Sequence, residues 1–138
     1  MRRRTSPDVR TETWPPVESR KTILICDDEP ALRELVRATL DDGYRFAEAS
    51  DGLVALELAH ELEPDAVILD LMLPRLGGLE VLAQLQADPR LSRVPVLVIT
   101  AWNETREDVL AAGAAEFVTK PFDPDLLRGA VKELLSES

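Results

Sequence analysis

Five polar residues have types and positions that could do chemistry together: Asp27, Asp28, Asp70, Thr100 and Lys120. Each directly follows a short apolar run. Taken singly they have ordinary readings. Asp27–Asp28 would be a helix cap with a solvated neighbour, Asp70 a turn residue before Pro74, Thr100 a helix start, and Lys120 a solvated surface lysine. Taken together they are three carboxylates, a hydroxyl and an ammonium. Crowded carboxylates repel unless a cation joins them. An all-oxygen donor set favours magnesium, with manganese as a substitute. Lys120 and Thr100 are donors suited to phosphoryl oxygens. A carboxylate nucleophile, a hard metal and a lysine are the parts of aspartyl-phosphate chemistry.

The elements between these residues must bring them to one edge. Apolar runs at 22–26, 44–49, 66–69, 94–99 and 115–118 are rich in Val, Ile and Leu, as expected of strands covered on both faces. Amphipathic stretches at 30–41, 52–62, 78–87, 104–112 and 124–135 read as helices. The first carries Leu32, Leu35, Val36 and Leu40 on its apolar face, the last Leu126, Leu127, Val131, Leu134 and Leu135. Asp28 is placed to cap the first helix, with Pro30 in its first turn, and Gly43 and Gly113 to end the first and fourth. Five βα units in a row predict an α/β fold: a five-stranded, doubly wound parallel sheet, (βα)5 and flavodoxin-like, of strand order 2-1-3-4-5. In such a sheet all five polar residues lie at the carboxyl edge.

The bulk composition narrows the class. The chain has 138 residues, 45% of them hydrophobic, which suits one core. Its formal charge of −10 argues against direct contact with nucleic acid or an anionic membrane. Residues 1–20, with Arg2, Arg3, Arg4 and three prolines, show no periodicity and read as a disordered tail, leaving 21–138 as the domain. A single cysteine, Cys26, no secretory signal and no apolar run near the roughly 20 residues of a membrane span make the cytoplasm the expected location.

The segments ILICDDEP, VILDLMLPRLGGLEVL, VPVLVITA and GAAEFVTKPFDPDLL resemble the receiver domains of two-component response regulators, over about residues 21–136. The resemblance implies that Asp70 accepts the phosphoryl group. It implies that Asp28 and Asp70 bind magnesium directly, Asp27 mainly through water, and the backbone carbonyl of Met72 as a further ligand. Thr100 takes the place of the switch hydroxyl, Lys120 of the lysine that pairs with a phosphoryl oxygen, and Phe117 of the switch aromatic. Pro121 stands where a cis peptide bond is common, and Ala101 where a small residue leaves room for the phosphoryl group. Gly77 departs from the usual Asp or Asn, which would loosen its loop. Phe117 lacks the hydroxyl common there, and Ala115–Glu116 departs from the paired acids of receivers that dimerise, which leaves a monomer or weak homodimer.

The function expected is a single-domain response regulator, phosphorylated by a sensor histidine kinase or histidine phosphotransfer protein and switching an unknown downstream protein. It would be no enzyme beyond its own phosphoryl transfer and dephosphorylation. Two alternatives fit less well. A magnesium phosphatase calls for Asp-x-Asp, but Asp70-Leu71-Met72 lacks the second acid. A degenerate receiver acting only as a binding module calls for a lost acid or lysine, and none is lost. Bulky Met72 and Trp102, two positions after Asp70 and Thr100, would border the path of a hydrolytic water and lengthen the life of the phosphorylated form.

Overall fold

The computed structural model describes residues 16, 19–40, 43–101 and 105–136. Most of the expected tail, residues 1–15, 17 and 18, and Trp102 with the expectation placed on it therefore lie outside the described residues. The element order is β1 (Lys21–Cys26), α1 (Pro30–Leu40), β2 (Tyr44–Ala49), α2 (Gly52–Leu62), β3 (Ala66–Leu69), α3 (Gly78–Ala87), β4 (Val96–Thr100), α4 (Arg106–Ala111), β5 (Glu116–Thr119) and α5 (Pro124–Ser136). The strands form one parallel sheet in the order 2-1-3-4-5.

Successive side chains of a strand point to opposite faces, and here both faces are apolar. Leu24, Cys26, Val67, Leu69, Val96, Val98 and Phe117 pack on one side with α2, α3 and α4, through Ala55, Ala59, Val81, Leu82, Leu85 and Val109. Ile23, Ile25, Ile68, Leu97, Ile99 and Val118 pack on the other with α1 and α5, through Val36, Leu40, Leu127, Val131 and Leu135. Burying each such aliphatic side chain stabilises the fold by roughly 1.5–3 kcal/mol. The interiors of the central strands are thus apolar on both faces, which holds the polar residues to the strand ends.

Two leucines assigned to apolar helix faces are exposed. The buried side of α1 is formed by Val36, Thr39 and Leu40, and Leu35 is 50% exposed. On α5 the buried residues are Leu127, Ala130, Val131 and Leu135, a spacing of three, one and four, and Leu126 falls off that stripe at 59% exposed. The fourth strand begins at Val96 rather than Val94, because the Val94 N–H turns back to the Leu91 carbonyl. It runs on through Thr100, so the threonine ends the strand instead of following it. The fifth strand begins at Glu116 and the fourth helix at Arg106, capped by the Thr105 hydroxyl.

Helix ends correct one further assignment. Asp28 does not cap α1. The carbonyl of Glu29 accepts from Leu32 and Arg33, and the side chain folded over this turn is that of Asp27, whose Oδ1 accepts from the Glu29 N–H at 2.9 Å. Pro30 is the first helical residue, as its fixed φ and missing N–H favour. Gly113, just past α4, has φ +118, the conformation glycine adopts without strain. Gly43 adjoins residues 41–42, which lie outside the described residues.

Candidate functional site

The carboxyl ends of β1, β3, β4 and β5 bring Asp27, Asp28, Asp70, Thr100 and Lys120 together. Parallel pairing sets this. The Asp27 N–H donates to the Ala49 carbonyl, the Asp70 N–H to Cys26, and the Lys120 N–H to Thr100, so each loop leaves the sheet at the same level. Asp27 and Asp70 are buried at 2% and 3% exposure, Thr100 is fully buried, and Asp28 is exposed. One oxygen from each of the three carboxylates lies within 4.8 Å of the others.

Lys120 is the cation of this cluster. Its Nζ lies 2.9 Å from Asp70 Oδ2, 2.9 Å from Asp27 Oδ2 and 3.5 Å from Glu29 Oε1. The approach to Asp70 is a hydrogen bond, whereas Asp27 Oδ2 receives the charge off axis and remains a buried oxygen without a well-directed donor. Asp70 Oδ1 accepts from the Met72 N–H at 3.0 Å, and the buried Thr100 hydroxyl favours the charged form of the same carboxylate.

These partners separate the two buried acids. Burial pushes the Asp70 carboxyl up, but donation from Met72, Lys120 and Thr100 outweighs it and leaves the group below the ordinary carboxylate range. Burial also pushes Asp27 up, and there Lys120 and the Glu29 amide do not fully compensate, so it stays above that range. Burial depresses Lys120 while its two carboxylates raise it, and the carboxylates win. Asp70 is therefore the more acidic of the two, as suits a nucleophile.

The loop after β3 is wedged into place. A Cβ on Gly78 would fall 2.4 Å from the Asp70 carbonyl oxygen, and one on Gly52 would fall 1.9 Å from that of Leu76. The Gly52 N–H donates to the Pro74 carbonyl, and Arg75, in the left-handed region at φ 68, reaches Asp51 Oδ2 at 3.3 Å. Asp51 is buried and its other oxygen caps α2 through the Val54 N–H at 2.8 Å. The expectation that Gly77 loosens this loop meets a specific geometry: Gly77 starts α3 without a side-chain cap, and its carbonyl accepts from Val81. Sequence reasoning missed Asp51, Gly52 and Arg75; the Ser50-Asp51-Gly52 run before a helical pattern was the available signal.

The Lys120–Pro121 peptide is cis. Phe117 is 8% exposed and its ring belongs to the α2–α4 side of the core, while its carbonyl accepts from Arg106 Nη1 at 3.2 Å. Glu116 pairs with Arg106 within the chain. The Met72 side chain is 57% exposed.

The donor set fits a hard divalent cation. Three carboxylates against one ammonium leave the cluster at −2, the acids are close enough to share one ion, and a buried Asp27 oxygen lacks a directed partner. No helix among the described residues is long and apolar enough to cross a membrane.

Comparison with known proteins agrees with this fold. The family model for the response regulator receiver domain matches residues 23–132. The chain is 40% identical over 116 residues to the DNA-binding dual master transcriptional regulator RpaA of Synechocystis, covering 82% of this chain and 48% of that protein. It is 41% identical over 119 residues to the DNA-binding response regulator MtrA of Mycolicibacterium smegmatis, covering 84% and 51%. The chain thus spans about half the length of these curated relatives. Among solved structures, the receiver domain of the sensor histidine kinase PA1611 from Pseudomonas aeruginosa, with a magnesium ion coordinated in its active site cleft, superposes with a TM-score of 0.77 at 29% identity, covering 86% of this chain and 99% of that one.

Proposed function

The chain belongs to the response regulator receiver domain family, and from that premise we propose that it accepts a phosphoryl group on Asp70 from a phosphohistidine of a sensor histidine kinase or histidine phosphotransfer protein. The observation that carries this reading is the setting of Asp70: a buried carboxylate bonded to Lys120 at 2.9 Å and to the Met72 N–H at 3.0 Å, with the buried Thr100 at the same strand edge. In the transfer, a carboxylate oxygen of Asp70 forms the new O–P bond as the N–P bond breaks, and the donor imidazole leaves. Lys120 holds its charge at the oxygens of the transferring group. Thr100, buried at the same edge as Asp70, aims its hydroxyl at a phosphoryl oxygen. Phe117, one strand over and tied through its carbonyl to Arg106 of α4, carries the change to the surface that meets the downstream protein.

Asp27, Asp28, Asp70 and the backbone carbonyl of Met72 would hold a magnesium ion, which supplies neutralisation of phosphoryl charge when bound. The protein acts in the cytoplasm with its donor, as a monomer or weak dimer, and catalyses no reaction beyond its own phosphorylation and dephosphorylation. Contact between this unit and nucleic acid is not part of the reading, since a net charge of −10 opposes it. The reading is the same whether the receiver works as a single domain or bears an output segment.

The test is chemical phosphorylation with acetyl phosphate and magnesium, followed by intact-mass spectrometry. Wild-type protein should gain one phosphoryl group and Asp70→Asn none. Undiminished labelling of Asp70→Asn would place the acceptor elsewhere.

A further inference from the structure

Asp28 is the exposed member of the acid cluster, and its side chain takes no hydrogen bond among the described residues. Its direction is set by the backbone alone, through the peptide that joins it to Asp27. That peptide's carbonyl accepts from Arg33 Nη1 at 2.6 Å. Arg33 lies one turn into α1, with its side chain only 16% exposed, and its Nε donates to Glu48 Oε1 at 2.7 Å. Glu48 stands on β2 opposite Ile25 of β1, one residue before Ala49, whose carbonyl takes the Asp27 N–H at 3.0 Å. Its second oxygen accepts from Arg37 Nη1 at 2.8 Å. Burial pushes the Glu48 carboxyl up, but the two guanidinium groups overcome this and hold it below the ordinary range, so it stays a charged anchor.

We infer that Arg33, braced by Glu48, is a positioning residue that sets the Asp27–Asp28 peptide and thereby aims Asp28 into the metal site. The inference rests on the metal reading proposed above and adds a residue to it. An arginine suits the task because its planar fork makes two bonds in different directions, one to the carbonyl and one to the carboxylate. The Asp27 residue is then held by its N–H through β2, by its carbonyl through Arg33 and by its Oδ1 through the Glu29 N–H, which leaves the turn little freedom. Simple helix–strand pairing would need only the contact to Glu48. The bond from Nη1 to a backbone carbonyl at the edge of the acid cluster is what points to positioning.

Calorimetric titration of the full chain with magnesium chloride tests this, using Arg33→Ala, Arg33→Lys and Glu48→Gln beside the wild type. Groups that orient a metal ligand typically carry 10–100-fold in metal affinity. Arg33→Ala should weaken magnesium binding by about tenfold or more, and Arg33→Lys and Glu48→Gln by less. In the metal-free protein the Glu29 amide should exchange faster in Arg33→Ala, while amides of the β3–β4 pair keep their protection. Phosphorylation by acetyl phosphate should return towards the wild-type rate when magnesium is raised to saturate the variant. If Arg33→Ala fails to fold, Arg33→Lys and Glu48→Gln carry the same comparison. Wild-type affinity in all folded variants overturns the inference and leaves the metal reading intact. A wild type that binds no magnesium overturns both.

Discussion

Replacing Lys120 with methionine removes the cation that two buried carboxylates share. At 2.9 Å and an effective dielectric of about 20, each contact is worth about 6 kcal/mol of raw attraction. Desolvation of the three ions, several kcal/mol apiece, offsets most of that. The net cost of stripping one partner from such a cluster is about 3–5 kcal/mol, because the remaining charges stay buried and unpaired. The Lys120 side chain is 15% exposed, which allows some water in and favours the low end, about 3 kcal/mol. For a domain of this size that corresponds to a melting temperature lower by roughly 10 °C in metal-free buffer at pH 7. Nor does the loss end with the lysine. Unit charges 4.8 Å apart, the outer limit for the carboxylate oxygens, repel by about 3.5 kcal/mol at the same dielectric.

The same substitution should have the opposite effect on magnesium. The cluster passes from −2 to −3, so the variant should bind the ion more tightly, by about tenfold, and recover more stability from it through mass action. The pH profile follows from the directions of the shifts. Lys120 is raised in the folded state, so its contribution is complete below the unfolded value of 10.5 and is lost as pH rises through the folded one. Asp70 is lowered, so its contribution is present above 3.8 and is lost as pH falls through its folded value; Asp27, raised, works in the opposite sense. The gap between wild type and variant should be flat through neutrality and close at both extremes. Urea unfolding and calorimetry across pH and magnesium concentration would measure it. A variant as stable as wild type without metal, or one with weaker magnesium binding, would refute the assignment of Lys120 as counter-charge.

Other substitutions test the frame around the site. Gly52→Ala drives a Cβ to 1.9 Å from the Leu76 oxygen and should cost about 3 kcal/mol by urea unfolding. Gly129→Ala meets open space inside α5 and should stabilise by about 0.5–1 kcal/mol in the same assay. Asp28→Asn should leave metal-free stability within about 0.5 kcal/mol, since Asp28 is exposed and is not the helix cap, yet it should weaken magnesium binding in calorimetry.

Much of this arrangement is legible before any coordinates, and for a specific reason. β1, β3 and β4 are apolar on both faces, so their residues admit no competing amphipathic reading, and a polar residue can only stand at an end. Parallel pairing then brings those ends together without any need to know a side-chain angle. Legibility stops where the answer depends on which side of a helix or turn a residue occupies. Asp27 and Asp28 are adjacent acids, and only the path of the β1–α1 turn decides that Asp27 is buried and folds over the Glu29 amide. Leu35 and Leu126 look like core leucines beside apolar neighbours, but the buried sides of α1 and α5 are formed by Val36, Thr39 and Leu40 and by Leu127, Ala130, Val131 and Leu135, which leaves both exposed.

Arg33 and Glu48, and Arg75 and Asp51, pair across 15 and 24 residues, between elements whose relative rotation the pattern of apolar residues leaves open. Both pairs touch the site from outside it, one through the carbonyl of Asp27 and one through the loop that follows Asp70. The division is physical. Groups that react must converge at strand ends, and sheet topology alone enforces that convergence. Groups that aim them can approach from any neighbouring element. They are therefore found only when hydrogen bonds are traced from the acids to the backbone and from the backbone to the charged side chains that hold it.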